Sequence, residues 1–140
     1  MKDNPKPFWV ELPIKVRAYD IDALGHVNNI VYIRWMEDAR MAMLEEYLPY
    51  ESLMAEHVSP VLLHTEIDYL VPVKLFDPLI CHAWIPKVKG VQMWIVFEFR
   101  VNESLRASGR QKAIFFDYQK EKPCKPPKRF MEQYQKYFSK

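Results

Sequence analysis

The chain has 140 residues, 49% of them apolar and 27% charged, and its formal net charge is +2. This length usually forms one domain, and the apolar fraction is enough for a buried core, which excludes wholesale disorder. The nearly balanced charge gives no reason to expect a nucleic-acid partner. We therefore expect a single domain over residues 1–140.

The N-terminus and the cysteines predict the cellular setting. Residues 1–10 read MKDNPKPFWV and lack the apolar centre of a secretory signal. No apolar run reaches the roughly 18 residues that a membrane helix needs. Cys81 and Cys124 show neither a disulfide framework nor metal-ligand spacing. These features predict a cytoplasmic protein without membrane insertion.

The first predicted elements lead into one long helix. After a loose arm over residues 1–7, residues 8–19 read as a strand with imperfect alternation. A polar turn follows, and the helix is expected to begin near Asn28 or Asn29, both of which are good capping residue types. Pro49 ends it. Apolar residues cover well over half of its surface, which predicts burial on most sides.

The rest of the chain has β character, after a loop or short helix over residues 51–57. Alternating apolar and polar residues predict four strands with short connections, which favours antiparallel pairing. These strands cover residues 60–71, 79–88, 92–101 and 106–118. The basic C-terminal tail, residues 119–140, contains a proline-rich linker over residues 122–128 and then a short helix. Such a tail is usually solvated, although it can also help to hold an anionic ligand or partner.

This order of elements predicts an α+β domain in which a five-stranded antiparallel sheet is wrapped around one long central helix. Trp84, Trp94 and Phe116 are more aromatic surface than one helix can cover. A second copy of the sheet is the economical cover, so we expect at least a dimer.

The turn before the helix carries the candidate chemistry. A carboxylate in this place usually caps the helix, and we assign Asp20 to that role. Asp22 lies nearest the apolar mouth of the helix, where a carboxylate can act as a nucleophile or as a general base on water. His26 is either an ordinary turn histidine or, beside Asp22, an acid–base partner or substrate orienter.

Gly25 and two asparagines belong to the same turn. Gly25 supplies a backbone shape that other residues resist, and it leaves room for a ligand. The N–H groups of Asn28 and Asn29 lie at the positive end of the helix, where they suit a developing oxyanion. No GxSxG motif, P-loop or Cys–His pair offers competing chemistry, and His57 and His64 are too isolated to argue for a metal.

Two segments carry a resemblance to a known family. Residues 19–40, YDIDALGHVNNIVYIRWMEDAR, resemble the signature of hotdog-fold acyl-CoA thioesterases of the 4-hydroxybenzoyl-CoA thioesterase type. Residues 65–79, TEIDYLVPVKLFDPL, resemble the second strand of that family and its exit. The resemblance covers roughly residues 14–118 and implies a hotdog fold. It also implies hydrolysis of an acyl thioester of coenzyme A or a carrier protein to a free acid and a thiol, without a metal or an organic cofactor.

The resemblance further implies dimers whose sheets join edge to edge, often paired into tetramers, with active sites at the subunit interface. By position, Asp22 matches the nucleophile or base, Gly25 the glycine of the turn, and Asn29 the residue whose backbone N–H polarises the thioester carbonyl. The motif is also similar to that of plant acyl-carrier-protein thioesterases, but Leu24 stands where those have asparagine, which argues against their Asp/Asn/His mechanism here. We predict catalytic roles for Asp22, Asn29 and His26, and substrate binding by Gly25, Val27, Asn28 and Tyr32.

The sequence also offers further candidate residues and one alternative function. Glu37 or Asp38 could supply a further carboxylate, although pairing on the helix surface explains both residues more simply. The basic residues considered for the coenzyme A phosphates, on the sign of their charge alone, are Lys87, Lys89, Arg106 and Arg110. The alternative to hydrolysis is a non-catalytic hotdog oligomer that binds acyl thioesters or has a structural role.

Overall fold

The sheet and its central helix define the architecture of this protein, which we describe from a computed structural model covering residues 6–138. The sheet strands are β1 (Val10–Ile14), β2 (Val58–Tyr69), β3 (Leu79–Lys89), β4 (Gln92–Val101), β5 (Ser104–Asp117) and β6 (Lys122–Cys124). The helices are α1 (Val31–Tyr47), α2 (Tyr50–Ala55) and α3 (Lys128–Phe138), and a 3₁₀ turn spans Ala18–Asp20.

The five long strands lie in the order β1-β3-β4-β5-β2, and every pairing is antiparallel. This arrangement confirms the predicted sheet wrapped around one helix. The predicted linker is wrong over its first three residues, because β6 pairs with residues 115–117 of β5. The chain reverses there because the Asp117 carboxylate accepts hydrogen bonds from the N–H groups of Gln119 and Lys120, at 3.0 and 2.9 Å.

Helix α1 supplies the core with one continuous face. Its buried residues recur at helical spacing and are Val31, Tyr32, Trp35, Met36, Ala39 and Met43. The predicted burial on most sides is wrong, because Ile33, Glu37 and Met41 form an exposed stripe along the same helix. The helix also begins at Val31, later than predicted, because residues 28–30 form a separate turn.

A glycine on β5 lets side chains of α1 and the backbone of the neighbouring strand β2 lie close to β5. A Cβ atom on Gly109 would lie 2.8 Å from the Glu66 carbonyl oxygen and 3.1 Å from the Met36 methyl carbon. Neither distance can be accommodated without movement, so only glycine fits at this crossing.

The C-terminal helix closes one end of the core. Phe130 is buried, stacks on Phe8 with ring centroids 4.6 Å apart, and meets the edge of Phe115 at 5.0 Å. The predicted terminal helix is therefore present, and its first turn is packed into the core. Of the predicted N-terminal arm, residues 1–5 lie outside the described residues. Pro7 is buried, and its carbonyl accepts a hydrogen bond from Ile85 N–H at 2.9 Å.

The surface of the sheet differs from what the aromatic residues suggested. Trp84 is buried within the chain, with Trp9 at 5.6 Å and the Lys6 ammonium 3.8 Å from its ring. One group of exposed apolar side chains lies on the edge strand β2 and on the exposed stripe of α1. They include Val61, Leu62, Leu63, Ile33 and Met41.

Both cysteines are free thiols, as expected from their spacing. Among residues 6–138, no helix combines the length and the apolar character that crossing a bilayer requires.

Candidate active site

The polar turn between the first strand and α1 is a closed loop of the main chain. Asp22 N–H donates to the His26 carbonyl at 2.8 Å, and Gly25 N–H donates to the Asp22 carbonyl at 3.0 Å. Gly25 has φ +79°, a left-handed conformation that other residues rarely adopt. Val27 N–H donates to the Val73 carbonyl at 2.8 Å, which ties the turn to the connection between β2 and β3.

Asp20 caps the 3₁₀ turn of residues 18–20 and not α1 as predicted, since among the described residues no side chain caps the N-terminus of α1. Its buried carboxylate accepts the Arg17 N–H at 2.9 Å and lies 4.0 Å from the Arg34 guanidinium. Its carbonyl oxygen accepts the Asn28 N–H at 2.8 Å. Asp20 therefore fixes both ends of the turn and has no exposed oxygen that could attack a substrate.

Asp22 has a different environment, because its side chain is exposed. One carboxylate oxygen, Oδ1, accepts the Leu24 and His26 N–H groups at 2.9 and 3.2 Å. Within residues 6–138 the other oxygen, Oδ2, has no hydrogen-bond partner. The carboxylate is thus oriented by the main chain, and one oxygen remains available. Asp22 and His26 are joined through backbone groups, and the described residues contain no bond between the imidazole and this carboxylate.

The backbone N–H groups around Asn29 have hydrogen-bond acceptors within the described residues, with one exception. Val27 and Asn28 donate to carbonyl oxygens, Ile30 N–H donates to the Asn28 side-chain oxygen at 3.2 Å, and Val31 N–H donates to the Asn28 carbonyl at 3.0 Å. Over residues 27–31, only the Asn29 N–H has no acceptor among the described residues. An unpaired N–H beside a helix N-terminus is suited to bind a negatively charged oxygen.

Asp22 and Asn29 line the same cleft, which has a volume of about 290 Å³. The polar turn and the start of α1 form one wall, and the end of β2 forms the other. The lining residues are Asp22, Leu24, His26, Val27, Asn29, Tyr32, Tyr69, Leu70, Val71 and Pro72. Of the predicted site residues, Gly25 and Asn28 do not line the cleft, and their observed contacts hold the turn in shape.

Two tyrosines that line the cleft are in contact with each other. Tyr32 is buried, and its ring meets Tyr69 edge-on at 5.2 Å. Burial, with a smaller contribution from Tyr69, raises the pKa of Tyr32 to about 12, so this phenol is neutral at physiological pH. The Tyr69 hydroxyl donates to the Asn29 carbonyl at 2.9 Å. The sequence indicates Tyr69 only as a pocket or core aromatic, with no polar role.

The second wall is held by Arg106. Its guanidinium donates to the Pro72 carbonyl at 2.7 Å and lies 3.6 Å from the Asp77 carboxylate. Its own carbonyl accepts the N–H groups of Leu70 and Val71, at 2.9 and 3.0 Å. The charge of Arg106 makes it a candidate for the coenzyme A phosphates, but its guanidinium contacts protein groups, the Pro72 carbonyl and the Asp77 carboxylate. The segment of residues 65–79 belonged to the family resemblance, yet nothing local in it indicated that its end faces Asp22.

Two of the other candidates for phosphate binding, Arg110 and Lys87, also have contacts within the protein. The Arg110 guanidinium donates to Glu66 at 2.7 Å across β5 and β2, and the Lys87 ammonium lies 5.3 Å from the centre of the Trp94 ring. Neither contact involves the cleft. Among the residues that the structure describes, no group of three or more His, Cys, Asp or Glu side chains could hold a metal ion.

A second hollow lies further along α1, next to the start of β2. Its volume is about 280 Å³, and Glu37, Arg40 and Leu62 are among its lining residues. Arg40 pairs with Glu37 at 3.7 Å, as predicted, and donates to the buried Gln111 side chain at 2.7 Å. Glu37 is therefore engaged on the helix, outside the cleft that contains Asp22.

Comparison with known proteins establishes the class of this protein. A model of the Thioesterase-like superfamily matches residues 16–134, which is most of the chain. The chain therefore belongs to the Thioesterase-like superfamily, and its fold is the hotdog fold.

Particular relatives are similar to different extents. Over 81 residues the chain is 31% identical to the long-chain acyl-CoA thioesterase FadM of Escherichia coli K12, and the match spans 58% of this chain but only 61% of FadM. It is 32% identical to the acyl-CoA thioesterase YbgC of Haemophilus influenzae Rd over 132 residues, which cover 91% of this chain and 93% of YbgC. A crystal structure of a thioesterase complexed with coenzyme A and zinc from Thermus thermophilus has a TM-score of 0.80, with 23% identity and coverage of 93% and 94%. At that identity, the structural match supports the fold alone.

Proposed function

We propose that this protein hydrolyses acyl-CoA thioesters to a free acid and coenzyme A. The observation that carries the proposal is that two groups lie in one cleft. They are the Oδ2 of Asp22 and the N–H of Asn29, neither of which has a hydrogen-bond partner among the described residues. The relatives FadM and YbgC are both named as acyl-CoA thioesterases, which supports the choice of substrate class.

The chemistry follows from the roles of these two groups. The thioester carbonyl oxygen accepts the Asn29 N–H, and the negative charge that develops on this oxygen is stabilised there. Asp22 either attacks the carbonyl carbon or removes a proton from a water that attacks it. The C–S bond then breaks, and the sulfur leaves as the thiol after it gains a proton. Attack by Asp22 itself gives a mixed anhydride, which water hydrolyses to the same acid.

The other residues of the cleft have supporting roles in this proposal. His26 borders the cleft and is available to orient the substrate. Val27 and Tyr32 supply apolar surface for the acyl group, next to the wall formed by Leu70 and Val71. Gly25 and Asn28 maintain the turn. No metal ion or organic cofactor is needed for these steps.

We also propose that the working unit is a dimer formed through β2, or a tetramer made of two such dimers. β2 is the last strand of its sheet, so one side of its backbone is unpaired. Leu62 and Leu63 are exposed on it, and Ile33 and Met41 are exposed on the adjacent helix. A second copy joined at this edge would cover these side chains and border the cleft at Tyr69, the end of the same strand.

The direct test is hydrolysis of an acyl-CoA panel that includes short, long and aromatic acyl groups, with release of free thiol as the measured quantity. Asp22→Asn keeps the size of the side chain and removes its charge. We expect it to lower turnover by at least about 100-fold, the low end of what a positioned base supplies. Its fold should be retained, because Asn Oδ1 can still accept the two N–H bonds.

Glu45→Gln is the matched control, since it removes a carboxylate charge from an exposed position on α1 that does not line the cleft. We expect it to have wild-type turnover. Absence of thiol release from every substrate, or equal rates for wild type and Asp22→Asn, would contradict the proposal. Tight binding of acyl-CoA without hydrolysis would instead favour the alternative function, an acyl-thioester-binding protein.

A further inference from the structure

The peptide unit that joins Asn29 to Ile30 is held at both ends by side chains. At one end, the Tyr69 hydroxyl donates to the Asn29 carbonyl oxygen at 2.9 Å. At the other, the Asn28 side-chain oxygen accepts the Ile30 N–H at 3.2 Å. Neither partner belongs to the repeating hydrogen bonds of a helix or a sheet, so the sequence uses two side chains to fix one peptide plane.

The neighbouring peptide units are also fixed. The Asn28 carbonyl accepts the Val31 N–H at 3.0 Å, and the Asn28 N–H donates to the Asp20 carbonyl at 2.8 Å. In a trans peptide the N–H points opposite to the carbonyl, so the direction of the Asn29 N–H follows from the bond to Val31. Of these units, the one bonded to Tyr69 depends on a side chain that comes from a distant part of the chain, the end of β2.

We propose that Tyr69 is a positioning residue that keeps the Asn29 N–H directed into the cleft. This inference rests on the proposed function, in which that N–H stabilises the negative oxygen of the transition state. The Asn29 N–H belongs to the preceding peptide unit, and the Tyr69 hydroxyl holds the carbonyl on the other side of the same Cα atom. Residue 29 is thus anchored on both sides, which restrains movement of its N–H away from the oxygen. The gain belongs to the transition state, because a preorganised donor stabilises the charge that develops there more than it stabilises the neutral carbonyl.

The ring of Tyr69 has a separate role from its hydroxyl. It packs edge-on against Tyr32 at 5.2 Å and lines the cleft. Tyr69→Phe keeps this packing and removes only the hydrogen bond. The chain also offers a matched control, because the Tyr118 hydroxyl donates to the Met54 carbonyl at the same 2.9 Å, and Tyr69 and Tyr118 are 44% and 46% exposed. Tyr118 does not line the cleft.

The test compares steady-state kinetics of wild type, Tyr69→Phe and Tyr118→Phe on an acyl-CoA that the wild type hydrolyses. We expect Tyr69→Phe to lower kcat by about 3- to 10-fold, the effect of losing one ordinary hydrogen bond, with little change in KM. Tyr118→Phe should match wild type in both constants. A second readout is the amide resonance of Asn29, whose chemical shift should change in Tyr69→Phe and stay unchanged in Tyr118→Phe.

Each failure has a distinct meaning. Wild-type kcat in Tyr69→Phe, or a change confined to KM, would overturn the positioning role while leaving the proposed hydrolysis intact. An unchanged Asn29 resonance in Tyr69→Phe would overturn it independently of activity. Undiminished turnover in Asp22→Asn would instead overturn the proposed function, and absence of hydrolysis by the wild type would overturn both.

Discussion

At the scale of single residues, the candidate site is built mainly from backbone groups that a few side chains hold in place. The Asp22 carboxylate accepts two N–H groups of its own turn, and the Asn29 group that we propose as the donor to the substrate is its N–H rather than its side-chain amide. Substitution of the Asn29 side chain therefore need not remove the donor. Residues that set the backbone conformation are the more informative targets.

Gly25→Ala tests this dependence on the backbone. At φ +79° an alanine is strained, although no atom lies within 4 Å of the added methyl group. We expect a loss of about 1 kcal/mol in the free energy of unfolding, measured by urea denaturation. Because the strain lies inside the turn that carries Asp22, the proposed function predicts that kcat/KM on acyl-CoA falls as well.

Gly90→Ala is the control for this prediction. Gly90 has φ +62° and is equally open to a methyl group, but it lies in the turn between β3 and β4. It should lose similar stability and keep wild-type kcat/KM. Equal activity of the two variants would show that the conformation at Gly25 matters for folding only.

At the scale of elements, the site exists because two distant segments meet. The polar turn supplies Asp22 and Asn29, and the end of β2 supplies the opposite wall through Tyr69 and the three residues after it. The bond from Val27 N–H to the Val73 carbonyl ties the turn to the chain after β2, and the two bonds to the Arg106 carbonyl hold Leu70 and Val71 against β5. The C-terminal helix is equally part of the fold, since its Phe130 fills the far end of the core.

Phe130→Ala tests the contribution of α3. Removing a buried ring that contacts Phe8 and Phe115 leaves a cavity, so the free energy of unfolding should fall by about 3 to 5 kcal/mol in urea denaturation. Phe138→Ala lies on the same helix at 60% exposure and should change it by less than about 0.5 kcal/mol. A small effect of Phe130→Ala would mean that the C-terminal segment behaves as the solvated tail that its charge suggested.

At the scale of the whole molecule, the edge of the sheet is the unbalanced feature. β2 ends the sheet with exposed leucines, and the exposed stripe of α1 lies on the same helix that supports the cleft. A monomer would leave both the apolar side chains and the unpaired backbone of β2 in water. The oligomeric state and the activity are therefore expected to change together.

Leu63→Lys tests this expectation. Leu63 is 50% exposed, and a charge at this position should oppose pairing of two β2 edges. We expect a shift from dimer to monomer in sedimentation velocity, together with reduced thioester hydrolysis. Phe138→Lys places the same charge at another exposed apolar position, on α3, and should leave the wild-type assembly unchanged. Dissociation in both variants, or in neither, would contradict the proposed interface.

The sequence by itself determined the order of elements, and it supplied the prediction that Asp22 and Asn29 are the reacting residues of the turn. Periodicity located the strands and α1 because alternation and helical spacing are local properties, and the family motif selected Asp22 and Asn29 because it lies within one short stretch. Two predictions from the sequence are wrong. The apolar stripe of α1 at Ile33 and Met41 is exposed rather than buried, and Trp84 is covered within the chain by Lys6 and Trp9 rather than by a second copy.

Only the tertiary structure decided which groups share the cleft. Tyr69 lies 40 residues from Asn29, and no local pattern records the bond between them. Arg106 has the charge of a phosphate ligand, yet its contacts with Pro72 and Asp77 make it a support for the wall. Such roles depend on which strands pair and where each strand ends. They are long-range consequences of packing the sheet around α1. The residues of the turn, by contrast, are adjacent in the chain and can be recognised together in the sequence.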